Sequence, residues 1–92
     1  MLAYLARFEG IVQHVHFRVA VRQSAIAEHV HGWVQNQRDG SVFMHAEGPN
    51  AKLLIQALAR PNAYTNAIPI LTDFRCTTPI GLRNFTILET QP

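Results

Sequence analysis

The order of apolar patterns along the chain is the feature that most constrains what it can fold into. Apolar residues repeat at every second position over 2–9, which predicts a strand. They recur at three- and four-residue steps over 17–30, which predicts an amphipathic helix. Two further strands are predicted over 33–37 and 41–47, joined by Asp39-Gly40, a dipeptide typical of tight hairpin turns. The first half of the chain therefore predicts a strand, a helix and a hairpin.

The ends of the two predicted helices are marked by glycine and proline. Gly32 is predicted to end the first helix in a left-handed conformation. Pro49 is predicted to lie in the first turn of a second helix, which stops before Pro61. The apolar stripe of this second helix is predicted to consist of Leu53, Leu54, Ala57 and Leu58.

The remainder of the chain predicts a connection over 62–66, a strand over 67–77 and a short last strand over 84–89. Pro69 places the start of the longer strand at a sheet edge or an irregularity, because proline cannot donate to the ladder. One face of that strand is predicted to carry Ile68, Ile70, Thr72, Phe74 and Cys76.

The predicted order is β-α-β-β-α-β with a short extra C-terminal strand. Right-handed crossovers then favour one antiparallel sheet with both helices on one face, which is the ferredoxin-like α+β arrangement. The first and third strands would be central. We expect a single domain over residues 1–92, because that length suits one core.

Composition excludes several classes of protein. Hydrophobic residues make up 48% and charged residues 15%, which is ordinary for a globular domain. A net charge of +2 without a Lys/Arg cluster argues against a nucleic-acid partner. No apolar run approaches the roughly 20 residues of a membrane span. A single cysteine, Cys76, excludes an internal disulfide and suits a reducing compartment, so we expect a cytoplasmic protein, and we expect it to be a monomer.

The segment from Gly10 to Arg18 connects the first strand to the first helix. A helix N-terminus carries partial positive charge and is usually capped by an acidic or hydroxyl residue, but none lies in this segment. The free N–H groups of the helix start and the guanidinium of Arg18 together predict an anion site. The alternative is an ordinary loop in which those N–H groups bind water and Arg18 is a surface charge.

Asn36 is the second candidate functional residue. Its amide can donate and accept hydrogen bonds at once, which suits fixing a water molecule. The alternative is that Asn36 serves the neighbouring turn, where asparagine is common.

The chain carries five histidines, which raises the alternative of a metal site. They are His14, His16, His29, His31 and His45. Alternating histidines can present imidazoles in one direction, as zinc or nickel requires, but no cysteine or acidic residue is patterned with them. The acidic residues are scattered and no nucleophile elbow is present, so the sequence supports neither a two-carboxylate hydrolase nor a serine or cysteine hydrolase.

Four stretches of the chain resemble the acylphosphatase family. The family loop G-x-V-Q-G-V-x-F-R is similar to G-I-V-Q-H-V-H-F-R at 10–18, and G-W-V-x-N-x-x-D-G-x-V is similar to 32–42. Glu47-Gly48-Pro49 and Phe85-Thr86-Ile87 match the family's E-G-P and closing F-x-I. The resemblance implies a ferredoxin-like fold and hydrolysis of acyl phosphates to carboxylate and phosphate, with no metal or cofactor.

The resemblance also implies roles for individual residues. Arg18 would bind the phosphoryl group of a small-molecule acyl phosphate, or inorganic phosphate, and Asn36 would position the attacking water. The phosphate loop would comprise Gln13, His14, Val15, His16 and Phe17.

His14 is the departure from the family pattern, because the family has glycine there. A side chain at this position can strain a positive φ, cover the anion pocket, or add positive charge beside a phosphate. Two alternatives to an active acylphosphatase follow. One is a weakened or inactive anion-binding relative, and the other is a histidine-based metal-binding module.

Overall fold

The computed structural model describes residues 2–13, 15–60 and 67–90, which form five strands and two helices. In chain order the elements are β1 (Ala3–Ile11), α1 (Phe17–Ala27), β2 (His31–Asn36), β3 (Val42–Glu47), α2 (Ala51–Leu58), β4 (Ile68–Thr77) and β5 (Phe85–Leu88). The predicted connection over 62–66 and the residue His14 lie outside the described residues. Every predicted helix and strand is present, in the predicted order.

The strands form one sheet in the order β4-β1-β3-β2-β5. This confirms the ferredoxin-like α+β fold, with β1 and β3 inside the sheet. The sheet is mixed rather than wholly antiparallel, because β5 runs parallel to β2. The path of the chain explains the difference. The last residue of β4, Thr77, pairs with Ala3 of β1. Ala3 also pairs with Glu47 of β3, and Glu47 pairs with His31 at the start of β2. Residues 78–84 therefore follow that end of the sheet, and β5 begins where β2 begins.

The core lies between one face of the sheet and the two helices. Alternation along β1 puts Tyr4, Ala6 and Phe8 on this face, and all three are buried. The ring of Phe8 meets Phe17 edge to face at 5.3 Å, and Tyr4 stacks on Phe74 at 5.2 Å. Aromatic pairs in these geometries add to the stability of burial alone. They fix β4, and the first residue of α1, against β1.

The end of α1 differs from the prediction. The helix ends at Ala27, and the left-handed residue after it is His29, with φ 57°, rather than Gly32. The N–H of His29 donates to Ile26 O at 3.2 Å, and the N–H of Val30 donates to Ala25 O at 2.8 Å. This is the Schellman pattern, in which a helix satisfies its last carbonyl groups with the backbone that follows. The chain therefore turns at His29, three residues before Gly32, where the sequence predicted the helix to end.

Gly32 lies instead within β2, with φ 151°. A Cβ at this position would lie 1.8 Å from the carbonyl oxygen of His45 in β3. The glycine is therefore required by the close approach of two backbones and not by a helix end.

The buried face of α2 also differs from the prediction. The helix begins at Ala51, after Asn50, so Pro49 precedes it instead of lying in its first turn. Its buried residues are Ala51, Leu54 and Ile55, whereas Leu53 is 65% exposed. The apolar run over 53–55 fits more than one helical stripe, and packing against the sheet selects the one that begins at Ala51.

β4 is an edge strand, as Pro69 indicates. The register between β1 and β4 shifts between Arg7 and Phe8, where a bulge interrupts the ladder. The prediction of one alternating face is therefore wrong for this strand. Phe74 and Leu71 pack against the core, but Ile70 is 56% exposed.

Candidate active site

The connection between β1 and α1 begins at a glycine that the structure requires. Gly10 has φ 89°, and a Cβ there would lie 2.4 Å from the carbonyl oxygen of Ile68 in the neighbouring strand. An L side chain would be strained at this φ and would collide with backbone. Gly10 therefore allows β1 to pass closely beside β4 before the chain turns towards α1.

The N-terminus of α1 is uncapped. His16 occupies the N-cap position with φ 60° and ψ 24°, makes no side-chain cap hydrogen bond, and no acidic residue follows in the first turn. Histidine tolerates the left-handed region better than most residues. The first N–H groups of a helix have no intrahelical acceptor, so they remain available to an anion here.

A cleft of about 310 Å³ opens beside this helix start. Its lining residues are Val12, His16, Phe17, Arg18 and Val19. Arg18 is half-buried, and the ion pairs between described residues leave its guanidinium without a carboxylate partner. The cleft thus combines free backbone donors with an unpaired cation, which is the chemistry of oxyanion binding.

Three loop residues anchor the connection to the rest of the molecule. Phe17 is buried against Phe8, and Val15 is half-buried against the core. The side-chain nitrogen Nε2 of Gln13 donates to the carbonyl oxygens of Gln37 at 2.9 Å and Ser41 at 3.0 Å. The side chain of Gln13 therefore joins the loop to the β2–β3 hairpin. Because its Nε2 is occupied there, only the backbone N–H of Gln13 is left to bind an anion.

Asn36 is the last residue of β2 and pairs with Val42 of β3. Its side chain is only 5% exposed, and its Oδ1 is buried without a hydrogen-bond partner among the described residues. A buried acceptor of this kind normally has a partner, because its desolvation is costly otherwise. Gln37 follows Asn36 directly, so the Gln13 contact brings the loop to the strand end that carries this amide.

The hairpin beside Asn36 is fixed by contacts that sequence patterns did not reveal. Asp39 Oδ1 accepts hydrogen bonds from the N–H of Ser41 at 2.9 Å and its hydroxyl at 2.6 Å. Its other oxygen accepts from Arg7 at 2.5 Å. The Ser41 donors hold the pKa of the Asp39 carboxyl below its ordinary value. The Asp39 carboxylate therefore holds the turn through its hydrogen bonds. The sequence pattern indicated only the Asp-Gly pair of this turn.

The described histidines are distributed over the molecule. His16 borders the cleft, His29 follows α1, His31 begins β2 and His45 lies in β3. In the part of the chain that the structure describes, no three histidine, cysteine or acidic residues are grouped to hold a metal ion. The histidines of the described residues therefore do not form a group that could hold a metal ion, and His14 lies outside those residues.

The protein has a ferredoxin-like α+β fold, and its cleft carries the donors that an oxyanion site requires. Comparison with known proteins makes the assignment specific. The acylphosphatase family model matches residues 4–75. An acylphosphatase of Thermotoga petrophila is 42% identical over 90 residues, which span 95% of this chain and 97% of that protein. The chain belongs to the acylphosphatase family, whose members are hydrolases acting on acyl phosphates.

Solved structures agree with this assignment. The crystal structure of acylphosphatase from Bacillus subtilis aligns with a TM-score of 0.78 at 33% identity, covering 96% of this chain and 99% of that one. T. kodakarensis HypF aligns with a TM-score of 0.80 at 26% identity, covering 99% of this chain but 12% of that one. The same fold thus occurs alone and within a much longer protein.

Proposed function

We propose that Asn36 positions a water molecule for in-line attack on an acyl phosphate whose phosphoryl group is held by Arg18 and the loop N–H groups. The observation that carries this proposal is the buried Oδ1 of Asn36, which has no partner among the described residues. An unpaired acceptor can take a hydrogen bond from the attacking water and orient its lone pair towards phosphorus.

Arg18 supplies charge where the reaction develops it. Phosphoryl transfer depends mainly on positioning and on stabilising negative charge on the equatorial oxygens. A guanidinium offers paired N–H donors to two of these oxygens, and the uncapped start of α1 offers backbone donors. The proposed phosphate loop comprises Gln13, His14, Val15, His16 and Phe17, with His14 outside the described residues.

The proposed reaction does not need a dedicated general base. The leaving group is a carboxylate, which departs without a proton, and a phosphate oxygen of the substrate can accept the proton of the water. We therefore propose hydrolysis without metal or cofactor, driven by preorganised donors.

Further properties of the protein belong to the same proposal. We propose that residues 1–92 act as one acylphosphatase domain and as a monomer in the cytoplasm, with no nucleic-acid or membrane partner. The small net charge and the exposed free thiol of Cys76 support this. Neither helix of the described chain is long and apolar enough to cross a membrane.

Hydrolysis of benzoyl phosphate in the presence of a chelator tests the proposal. We expect turnover to survive chelation and kcat to fall by roughly 10²-fold or more in Asn36→Ala, because the water loses its orienting partner. Asn50→Ala removes the amide of the residue before α2, which donates to Glu28 O at 3.1 Å and does not line the first cleft, and it serves as the control. Unchanged kcat in Asn36→Ala would refute the role given to Asn36.

His14→Gly in the same assay addresses the alternative of a weakened or inactive relative. Faster turnover in His14→Gly would show that the histidine impairs the loop. A native protein that binds phosphate but never hydrolyses the substrate would leave the anion-binding alternative.

Gln13→Ala tests the link between the loop and the hairpin. The variant removes two hydrogen bonds to hairpin carbonyls, so we expect unfolding free energy to fall by about 1–2 kcal/mol. We also expect kcat/KM to fall about tenfold, since small misplacements of a catalytic group are costly. Urea denaturation and the hydrolysis assay measure the two effects. Gln56→Ala, an exposed glutamine of α2, is the control, and equal kcat/KM in both variants would contradict a positioning role.

A further inference from the structure

A second cleft, of about 280 Å³, lies at the opposite end of α1 from the candidate active site. The end of α1, the start of β2 and the approach to β5 form its walls. Ile26 lines this cleft, and Arg18 lines the first one. With a rise of about 1.5 Å per helical residue, these two residues are about 12 Å apart along the helix axis. The two clefts share no lining residue, and Arg22 of the second cleft lies about one helical turn after Arg18 of the first.

Two arginines and two histidines line the second cleft. They are Arg22, Arg83, His29 and His31, and no acidic residue occurs among the described lining residues. The ion pairs between described residues involve other groups, so neither arginine is neutralised by a carboxylate. Unneutralised cations around one concave surface give a local positive potential that attracts anions.

Two of these side chains are held in place by backbone carbonyls. Arg22 donates its Nε–H to the carbonyl oxygen of Phe85 at 3.1 Å, which leaves its terminal nitrogens without a described partner. His31 donates its Nδ1–H to the carbonyl oxygen of Leu82 at 2.9 Å. These two side chains are already ordered in the folded protein, so binding of a small ligand costs less conformational entropy.

The dipole of α1 does not account for this arrangement. Cations near a helix C-terminus often serve to satisfy its last carbonyl groups. Here the backbone N–H groups of His29 and Val30 bond the carbonyls of Ile26 and Ala25. Arg22, in turn, bonds β5 and not the helix end.

The cleft also has an apolar surface. Ile26 is 51% exposed and lines the cleft together with Phe85 and Val30. A pocket near 300 Å³ is at the small end of the range for ligand sites. Basic groups beside an apolar wall suit a ligand that carries an oxyanion on a compact apolar body.

We propose that this second cleft binds a small organic anion, a carboxylate or phosphate monoester with an apolar group, through Arg22 and Arg83. The oxyanion bonds the guanidinium groups, and the apolar part lies against Ile26. This proposal is independent of the hydrolytic mechanism, because it uses none of the residues of the first cleft.

Nuclear magnetic resonance titration with phenyl phosphate and with benzoate tests the proposal. We expect saturable shifts of the His29 and His31 side-chain resonances in both the native protein and Arg18→Ala, since Arg18 lies in the other cleft. Arg83→Gln removes an exposed cation without a described hydrogen bond, and it should raise the dissociation constant at least about tenfold. Arg22→Gln should do the same, and Arg60→Gln should not, because Arg60 does not line the cleft.

The probes also separate the possible sources of binding. Saturation by phenyl phosphate alone assigns a phosphate monoester, and saturation by benzoate alone assigns a carboxylate. Inorganic phosphate binding as tightly as either probe would overturn the role of the apolar wall. Shifts confined to residues 10–18, no saturation up to about 10 mM, or equal affinity in Arg83→Gln would overturn the proposed site.

Discussion

Arg18→Ala is expected to lower kcat/KM for benzoyl phosphate by about 10³-fold, with the protein still folded. The guanidinium of Arg18 lies in the cleft at the start of α1 and has no carboxylate partner among the described residues. Its removal therefore leaves none of these carboxylates without an ion-pair partner. Loss of one preorganised donor costs roughly 10²–10³ in rate, and loss of an arginine on a transferring phosphoryl group costs 10³–10⁵.

Two further variants make this experiment specific. Arg18→Lys keeps the charge but loses the paired donors, so its kcat/KM is expected to lie between the native protein and Arg18→Ala. Arg60→Ala removes an exposed arginine after α2 and should retain native kinetics. If Arg18→Ala hydrolysed the substrate within a few-fold of the native rate, Arg18 would not hold the phosphoryl group.

Glu47→Ala is expected to reduce the free energy of unfolding by about 3–5 kcal/mol, because it leaves several buried hydrogen-bond donors without their acceptor. Glu47 is 1% exposed, and its Oε2 accepts a hydrogen bond from His45 Nε2 at 2.6 Å. The same carboxylate accepts backbone N–H groups of Ile80 at 2.5 Å, Gly81 at 3.1 Å and Leu82 at 3.2 Å. The variant would leave all of these donors without an acceptor and would remove the carboxylate that holds residues 80–82 against the end of β3.

The pH dependence of stability gives an independent measure of this carboxylate. Burial raises the pKa of Glu47, but the N–H groups of Ile80 and Leu82 and the His45 contact outweigh it and hold the pKa at about 2. Because the folded pKa is depressed from 4.5, the stabilisation is complete above about pH 4.5 and is lost as pH falls towards 2. The loss is on the order of 3 kcal/mol.

Urea denaturation between pH 7 and pH 3 measures both effects. Glu47→Gln keeps one acceptor oxygen but no charge, so its stability should depend less on pH than that of the native protein. Glu9→Gln changes an exposed carboxylate of β1 and is the control. A native pH profile in Glu47→Gln would show that Glu47 is not the group whose protonation destabilises the fold.

The sequence predicted the fold because period-two and helical patterns are local. Tyr4, Ala6 and Phe8 face the core as their alternation predicts. The local pattern predicted the wrong residues where it fitted two helix ends or two helical stripes about equally well. In those places tertiary packing determined which one formed. At the end of α1 the left-handed residue is His29 and not the nearby glycine, and in α2 the buried stripe includes Ile55 in place of Leu53.

Sequence motifs identify candidate site residues, whose roles stay predictions, but they do not reveal the contacts that hold the site in place. Arg18 and Asn36 stand within recognisable motifs. In the structure Arg18 lines the first cleft, whereas Asn36 does not line it and lies at the end of β2. The Gln13 side chain bonds residues 24 and 28 positions away in sequence, and no periodicity signals such contacts. The Glu47 carboxylate likewise bonds Gly81, 34 positions further along the chain.

The interior position of β1 has a consequence for how the chain folds during synthesis. β1 precedes β3 and β4 in the chain, and it pairs with β3 on one side and with β4 on the other, where Ala3 pairs with Thr77. Contacts between such distant positions require a large loop to close, and folding is slower when they dominate. β1 must therefore remain unpaired on its β4 side until β4 has been synthesised. During that interval its unpaired backbone N–H and C=O groups are open to wrong partners, so a domain of this topology is exposed to mispairing during synthesis.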